Sequence, residues 1–351
     1  MVLVDERDHV IPDQQNRDAK ISQLFREVGS QCVTAGLFTR SHVHAPWAFL
    51  LLSLLALAGM ATANVLLPSL VKLHFPDHIG LMTALYSTSL AVGLTSASVL
   101  TVPISDAHGG WRAGLLVWAL TAAVAAVPWL GLVGHDRAPE TPRGEIRLLD
   151  VARTRLGWMM ALFFGLQSAQ AYSIFGWFTE VYQDAGYSPH TAGLLLGAIT
   201  GISIPFSFVV PALAARMPDQ RVLIGALMAC YPIGYLGLVL APGSAALVWA
   251  LIVGLGTCTF PLILTLIGLR ARSSGGTAAL SGFTQSAGYL ISVIGPFGVG
   301  VLHDASGGWT VPLLVMTVFL VPQLLVGLAV GRPAYLEDEL EPAPESVGHT
   351  G

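Results

Sequence analysis

Nine long stretches of this chain carry no charged side chain and no histidine. They run over 47–71, 81–102, 115–133, 157–179, 192–215, 222–241, 245–269, 278–302 and 311–330. A bilayer core about 30 Å thick needs roughly 20 residues of helix to cross it. A charge at its centre costs at least about 3 kcal/mol on insertion scales. Runs of that length and purity suit lipid as solvent. They are continuous and do not alternate, which disfavours barrel strands. The fold class expected is all-α: a polytopic membrane helix bundle of about nine transmembrane helices.

Composition agrees with that reading. Hydrophobic residues make up 54% of the 351 and charged residues 11%, against about 25% charged in soluble domains. Mean hydropathy is +0.67 and the isoelectric point about 6.2. With a net charge of −4, the chain has no basic footprint for nucleic acid. Cys32, Cys230 and Cys258 are far apart, so no disulfide frame, metal or other cofactor is expected. No P-loop, nucleophile elbow or buried carboxylate pair appears, so neither an enzyme nor an ATP-driven pump is expected. The N-terminus, MVLVDERDHV, is polar where a signal peptide would be apolar.

Basic residues set the orientation. Lys72, Arg137, Arg143, Arg147, Arg153, Arg155, Arg216, Arg221, Arg270, Arg272 and Arg332 fall on one side, while the other side's short loops hold Arg112. The first side is read as cytoplasmic, with the C-terminus on it, in a multi-pass protein of the cell membrane. Residues 1–46 then fall outside, although Arg40 opposes the rule.

A repeat organises the spans. Ser105–Trp111 reads SDAHGGW and His303–Trp309 reads HDASGGW, 198 positions apart; Lys72 and Arg270 share that offset. Spans one to three thereby pair with spans seven to nine, and such repeats mark secondary transporters. Six spans follow the charged loop and three precede it. The register implies a six-plus-six plan whose first three helices are not represented. The expected organisation is a poorly ordered polar segment at 1–46, a partial first half at 47–134 and a cytoplasmic loop at 135–156. A six-helix half at 157–332 and an acidic disordered tail at 333–351 complete it.

The stretches ANVLLPSLVKLHFPDHIGLMTALYSTSL (63–90), GGWRAGLLVWAL (109–120), QDAGYSPHTAGLLLG (183–197) and ALSGFTQSAGYLISVIGPFGVGVLHDASGGW (279–309) resemble the cyanate- and nitroimidazole-transporter-like branch of the major facilitator superfamily. The resemblance implies two six-helix halves with a substrate held between them. It covers about residues 47–332. The superfamily's basic loop signature has a degenerate counterpart in ALAARMPDQR, where Arg216, Asp219 and Arg221 are candidates for a cytoplasmic latch. The stretch from Gly288 to Gly300, GYLISVIGPFGVG, resembles a drug–antiporter motif but lies on a helix of the other half, so it is read as close helix packing.

Spans free of charge leave amides and hydroxyls to hold a solute. Gln167, Ser168 and Tyr172 on the fourth span are candidates, with Thr284, Gln285 and Tyr289 on the eighth and Asn64 on the first. The alternative for each is hydrogen bonding between helices. A coupling proton would need a group on the unrepresented helices, or boundary residues such as Asp106, His108, His303 and Asp304. The function expected is secondary transport of a small solute, such as a cyanate-like or other small anion. The alternative is a truncated membrane remnant, or membrane interaction protein, that does not transport. The expected partners are the lipid bilayer and the solute; oligomeric state is not specified.

Overall fold

The computed structural model describes residues 35–40, 43, 45–75, 78–107, 110–132 and 146–340. The described residues are helical and connected by short turns, without strands. In chain order the helices are α1 (Pro46–His74), α2 (Ile79–Ala107), α3 (Trp111–Leu132), α4 (Leu148–Val151), α5 (Arg155–Asp184), α6 (Pro189–Arg216) and α7 (Arg221–Leu240). There follow α8 (Ala246–Thr257), α9 (Thr259–Leu269), α10 (Ser274–Ser292), α11 (Ile294–Ser306), α12 (Thr310–Val330) and α13 (Leu336–Leu340). Each apolar run lies within one helix, or within the consecutive pairs α8–α9 and α10–α11, and overruns it by no more than a residue.

Six described helical segments are long and apolar enough to cross a membrane: 80–107, 189–216, 221–240, 246–269, 275–306 and 310–330. Helix α5 is longer than most of these, at 30 residues, but carries more polar side chains. Large aliphatic side chains stay on the outside, including Leu240 at 81% exposure and Leu290 at 77%. A soluble protein rarely tolerates such apolar surface; here it is the face toward lipid.

Local chemistry sets the helix ends. Thr154 caps α5 by accepting from Gly157 N, and Ser188 caps α6 by accepting from Thr191 N, with Pro189 opening the first turn. Ser273 caps α10 by accepting from Gly276 N. The repeated GGW loops close α2 and α11 differently. Gly110 takes the positive φ in the first loop, whereas Gly307 takes it in the second as the left-handed cap of α11. Trp111 then opens α3, and Trp309 caps α12.

The chain divides into two compact units. The first comprises 1–67 and 100–145. Its described residues form a small core in which Leu37, Ala56 and Ala119 are buried. Residues 35–40 are helical within the segment expected to be poorly ordered. Gly36 sits so close to α1 that an added Cβ would meet Leu52 O at 2.8 Å. A small-residue contact of this kind lets helix backbones approach, and tertiary packing orders a stretch that composition alone would leave loose.

The second unit comprises 68–99 and 146–351. Residues 68–99 cluster with the six-helix block, so the compact units do not divide between 47–134 and 157–332. The reason lies along α6: added Cβ atoms at Gly193 and Gly197 would meet Ser98 O at 3.2 Å and Val99 Cγ2 at 2.5 Å. Thr95 Oγ1 donates to Thr200 Oγ1 across that seam at 3.0 Å. The core of the unit is dense, with Phe163, Phe164, Phe178, Tyr182, Tyr231 and Tyr235 at 1% exposure or less. The glycine-rich 288–300 stretch packs as expected: Cβ atoms at Gly288 and Gly295 would meet Phe164 Cδ1 at 2.6 Å and Ala169 O at 2.5 Å.

The acidic tail departs from expectation over 333–340. Leu336 is fully buried and its N–H donates to Arg270 O at 2.8 Å. The Glu337 carboxylate accepts from Arg272 N and Ser273 N at the start of α10, and Glu339 accepts from Leu156 N at 3.1 Å near the start of α5. Composition suggested disorder, but a carboxylate at a helix N-terminus is stabilised by exposed N–H groups and the helix dipole. Residues 341–351 lie outside the described residues.

Candidate functional site

Helix α5 is the hub of the second unit, and its faces differ in chemistry. On one face Gln167 and Gln170 point into the core. Gln167 Nε2 donates to Tyr231 OH at 2.8 Å, and Gln323 Nε2 donates to Gln167 Oε1 at 2.7 Å. Gln170 Nε2 donates to Met316 O at 2.9 Å, and Gln170 Oε1 accepts from Tyr235 OH at 2.9 Å. These bonds join α5, α7 and α12. Gln167, Gln170 and Gln323 are at most 4% exposed. In apolar surroundings such amides act as glue between helices. The structure therefore places Gln167 in an interhelical network and away from the cavity described next.

Ser168, Ala171, Tyr172 and Phe175 recur at helical spacing on another face and line a cavity of about 140 Å³. Ser87, Leu90, Ala91 and Leu94 close it from α2, and Ser203 and Ser207 from α6. Thr257, Phe260 and Pro261 contribute from the α8–α9 junction. The break at Cys258 between those helices turns Thr257 and Phe260 toward the same space. Among the described residues that line the cavity, none is Asp, Glu, Lys, Arg or His.

The cavity hydroxyls differ in how they are satisfied. Ser203 Oγ donates to Thr200 O at 2.6 Å, and Thr257 Oγ1 donates to Gly254 O at 2.7 Å. Ser168 is 2% exposed, and its Oγ has no hydrogen-bond partner. A helical serine ordinarily bonds back to the carbonyl of the preceding turn. A buried hydroxyl that forgoes this bond costs stability unless a ligand or water completes it.

Aromatic rings extend from the cavity wall. Tyr172 lies 6.3 Å from Tyr289, Tyr289 lies 5.1 Å from Phe164, and Phe164 lies 5.8 Å from Phe260, between ring centroids. Of the residues singled out on α10, Tyr289 thus reaches the cavity's neighbourhood through Tyr172. Thr284 and Gln285 are fully buried elsewhere on that helix, with Gln285 Nε2 donating to Ser281 Oγ at 2.9 Å. The side chain of Asn64 lies outside the described residues.

Both ends of the unit carry charge. Asp219 and Arg221 pair within one loop: Arg221 Nη2 to Asp219 Oδ2 is 2.6 Å, and Arg221 N donates to Asp219 Oδ1 at 2.9 Å. The Arg221 side-chain hydrogen bonds, then its backbone N–H, hold the Asp219 carboxyl below the usual range. Arg216 is exposed at the end of α6. Arg270 is buried at 4% exposure. Its guanidinium donates to Val330 O at 3.0 Å, Gln220 Oε1 at 2.6 Å and Gly331 O at 3.1 Å. The ends of α7, α9 and α12 meet on this one cation.

At the opposite end, Trp309 Nε1 donates to Asp184 Oδ2 at 2.7 Å, and the His303 ring stacks on Trp309 at 4.1 Å. His303 Nδ1 is 3.5 Å from Asp304 Oδ1. Asp106 is exposed at the end of α2, and His108 lies outside the described residues.

Sequence reading missed Tyr231, Tyr235 and Gln323, and it missed Ser87, Ser203, Ser207 and Thr257. A usable signal was present. Tyr231 and Tyr235 are four apart in an apolar run, and a buried phenol needs a partner. Ser203 and Ser207 also share a face at that spacing, around Pro205.

A membrane-spanning helical bundle with an internal repeat and an uncharged cavity defines the class of solute carriers. The chain belongs to the major facilitator superfamily, whose sequence profile matches residues 28–296. It is a secondary transporter of small solutes within a multi-pass membrane fold. It is 36% identical over 314 residues to an uncharacterized transporter, YycB, of Bacillus subtilis, covering 88% of this chain and 77% of that protein. Identity is 33% with the 2-nitroimidazole transporter of Escherichia coli, covering 78% and 70% of the two chains. It is 28% with the cyanate transport protein CynX of the same organism, covering 75% and 69%. Among solved structures, the fucose:proton symporter of E. coli superposes with a TM-score of 0.68 at 13% identity, over 91% of this chain and 86% of that one. That likeness concerns the fold.

Proposed function

We propose that the cavity between α2, α5, α6 and the α8–α9 junction is where this transporter holds its solute. The observation that carries the reading is the Ser168 hydroxyl, buried, without a partner and on the cavity wall. Tyr172 serves as an aromatic wall and Tyr289 backs it. Transport proceeds by rocking of helical bundles about a site near the midplane. The close seam of α2 on α6, at Gly193 and Gly197, supports such motion, because small residues present little relief to slide across. The relatives named for 2-nitroimidazole and cyanate make compact solutes of that size the first to test.

The basic residues near Arg216, Arg270 and Arg332 support a cytoplasmic C-terminus in the cell membrane. If a proton is coupled, His303, set between Asp184 and Asp304 at the opposite end, is the described boundary residue with chemistry suited to it. No nucleic-acid partner is part of this reading.

The test is reconstitution into liposomes with uptake of labelled cyanate and 2-nitroimidazole, against protein-free liposomes. Saturable uptake of at least one solute is expected, abolished by Ser168→Leu, which fills the cavity. Uptake of both that matches protein-free liposomes overturns the transport reading for these solutes. Uptake that survives Ser168→Leu in folded protein overturns the site.

A further inference from the structure

We infer that the cavity takes a neutral solute the size of a single ring, so that a weak acid is bound and carried in its uncharged form. This rests on the cavity being the binding site. Three observations converge on it.

Size comes first. The cavity holds about 140 Å³, and an engineered protein cavity of about 150 Å³ takes up benzene. One ring with a small substituent fills the space. Cyanate alone would leave most of it to water.

The second observation is the lining. Phe175, Phe260 and Tyr172 present aromatic surface, and Leu90 and Leu94 present aliphatic surface. Flat π-systems pack on such walls in offset or edge-on arrangements. The chain of rings from Tyr172 through Tyr289 and Phe164 to Phe260 fixes the wall in place.

The third is charge. The polar groups of the lining are hydroxyls, and Ser168 Oγ and Ser87 Oγ are buried with unmet hydrogen bonds. A hydroxyl can donate to a ligand oxygen or ring nitrogen, or accept from an N–H or O–H. It cannot replace the hydration shell of an anion, and a buried charge without an opposite charge is strongly disfavoured. Among the described lining residues Tyr172 is the titratable one, and phenols ionise only near about pH 10. The site's own charge is therefore constant through the neutral range. When a weak acid binds, its proton stays on the ligand's own carboxyl or ring nitrogen, so the proton travels with the solute and no protein carboxylate is needed to carry it.

The experiment uses matched pairs that differ in charge but hardly in volume: benzamide against benzoate, and imidazole-2-carboxamide against imidazole-2-carboxylate. Binding to the purified full chain is measured by titration calorimetry near neutral pH. The neutral member of each pair is expected to bind at least about tenfold more tightly. Benzoate affinity should rise as pH falls, following its protonated fraction, while benzamide affinity stays flat. Ser168→Ala should weaken benzamide roughly fivefold, in line with one lost hydrogen bond. Benzoate binding as tightly as benzamide, or a benzoate affinity insensitive to pH, overturns the inference, as does binding of none of the four. Neutral ligands that bind equally well to wild type, Ser168→Ala and Ser168→Leu instead overturn the location of the site. The two failures are thus read separately.

Discussion

Two faces of helix α5, one residue apart in sequence, solve opposite problems. Gln167 and Gln170 face the α7–α12 side, in a network that has every amide group but one accounted for, through Tyr231, Tyr235, Gln323 and the Met316 carbonyl. The exception in that network is Gln323 Oε1. Ser168 and Tyr172 face the cavity, and there the serine hydroxyl is left unmet. Polar side chains inside a membrane bundle thus divide into those that bind helix to helix and those that wait for a ligand. The division follows from which neighbour each face meets and is invisible in residue type. A glutamine looks the better solute ligand, yet here the serine has the free capacity.

The comparison is broken most forcefully at Gln167. Gln167→Leu leaves Tyr231 OH and Gln323 Nε2 without their shared partner in the core. The expected loss is about 1–3 kcal/mol, seen as a lower melting midpoint in detergent. Uptake per folded molecule should not change. Pairing it with Gln323→Leu should cost less than the sum of the two single changes, because both report on one network. A Gln167→Leu protein that melts like wild type but fails in uptake would sink the assignment of the two faces.

Ser168→Ala probes the other face and should show the reverse pattern. It removes a buried hydroxyl that has no partner in the unliganded protein, so the melting midpoint should stay or rise slightly. Half-saturation for uptake should rise roughly fivefold, corresponding to about 1 kcal/mol. Loss of stability with unchanged uptake would mean that the hydroxyl is structural.

Much of the fold was legible in advance because lipid imposes a simple rule. Among the described residues, every run of about 20 uncharged residues became a helix or a consecutive pair of helices, since backbone N–H and C=O groups have no other outlet in hydrocarbon. The repeated motifs also fall at matching places along the chain: Trp111 opens the helix after SDAHGGW, and Trp309 caps the helix after HDASGGW. The proposed site was only partly legible. Tyr172 and Ser168 were found from polarity within an apolar run. Ser87, Ser203 and Ser207 were not, because no single helix distinguishes them; they matter where three helices converge. The interhelical network around Gln167 was not legible for the same reason: its partners are 64 and 156 positions away. The ordered part of the acidic tail escaped notice because its carboxylates find helix N-termini, which composition does not display.

That tail offers a smaller and pH-dependent test of the same contrast between satisfied and open polar groups. Burial by itself would raise the Glu337 carboxyl, but N–H groups of Arg272, Glu337 itself and Ser273, with the Ser273 hydroxyl, more than offset it and hold it below the ordinary value. A carboxyl depressed in the folded state stabilises above its unfolded pKa, near about 4.3, and that stabilisation fades as pH falls through the lower folded value. Glu337→Gln removes the charge from the start of α10, at a cost of about 0.3–1 kcal/mol at neutral pH. The gap from wild type should close in strongly acid solution, when melting midpoints are compared across pH. A gap that persists undiminished in acid would show that shape, not charge, holds the tail.

The smallest effect is expected at Asp219. Its pair with Arg221 closes within one exposed loop, two residues apart, and exposed pairs contribute little. Asp219→Asn should leave the melting midpoint unchanged. If the pair only folds the loop on itself, uptake should be unchanged as well. If Arg216, Asp219 and Arg221 form a latch whose partners exchange during transport, uptake should change at constant stability, and should change less at high salt, where exposed charges are screened. The geometry, in which Asp219 is already doubly engaged by Arg221, favours unchanged uptake, so a salt-sensitive change would move this loop from scaffold to mechanism.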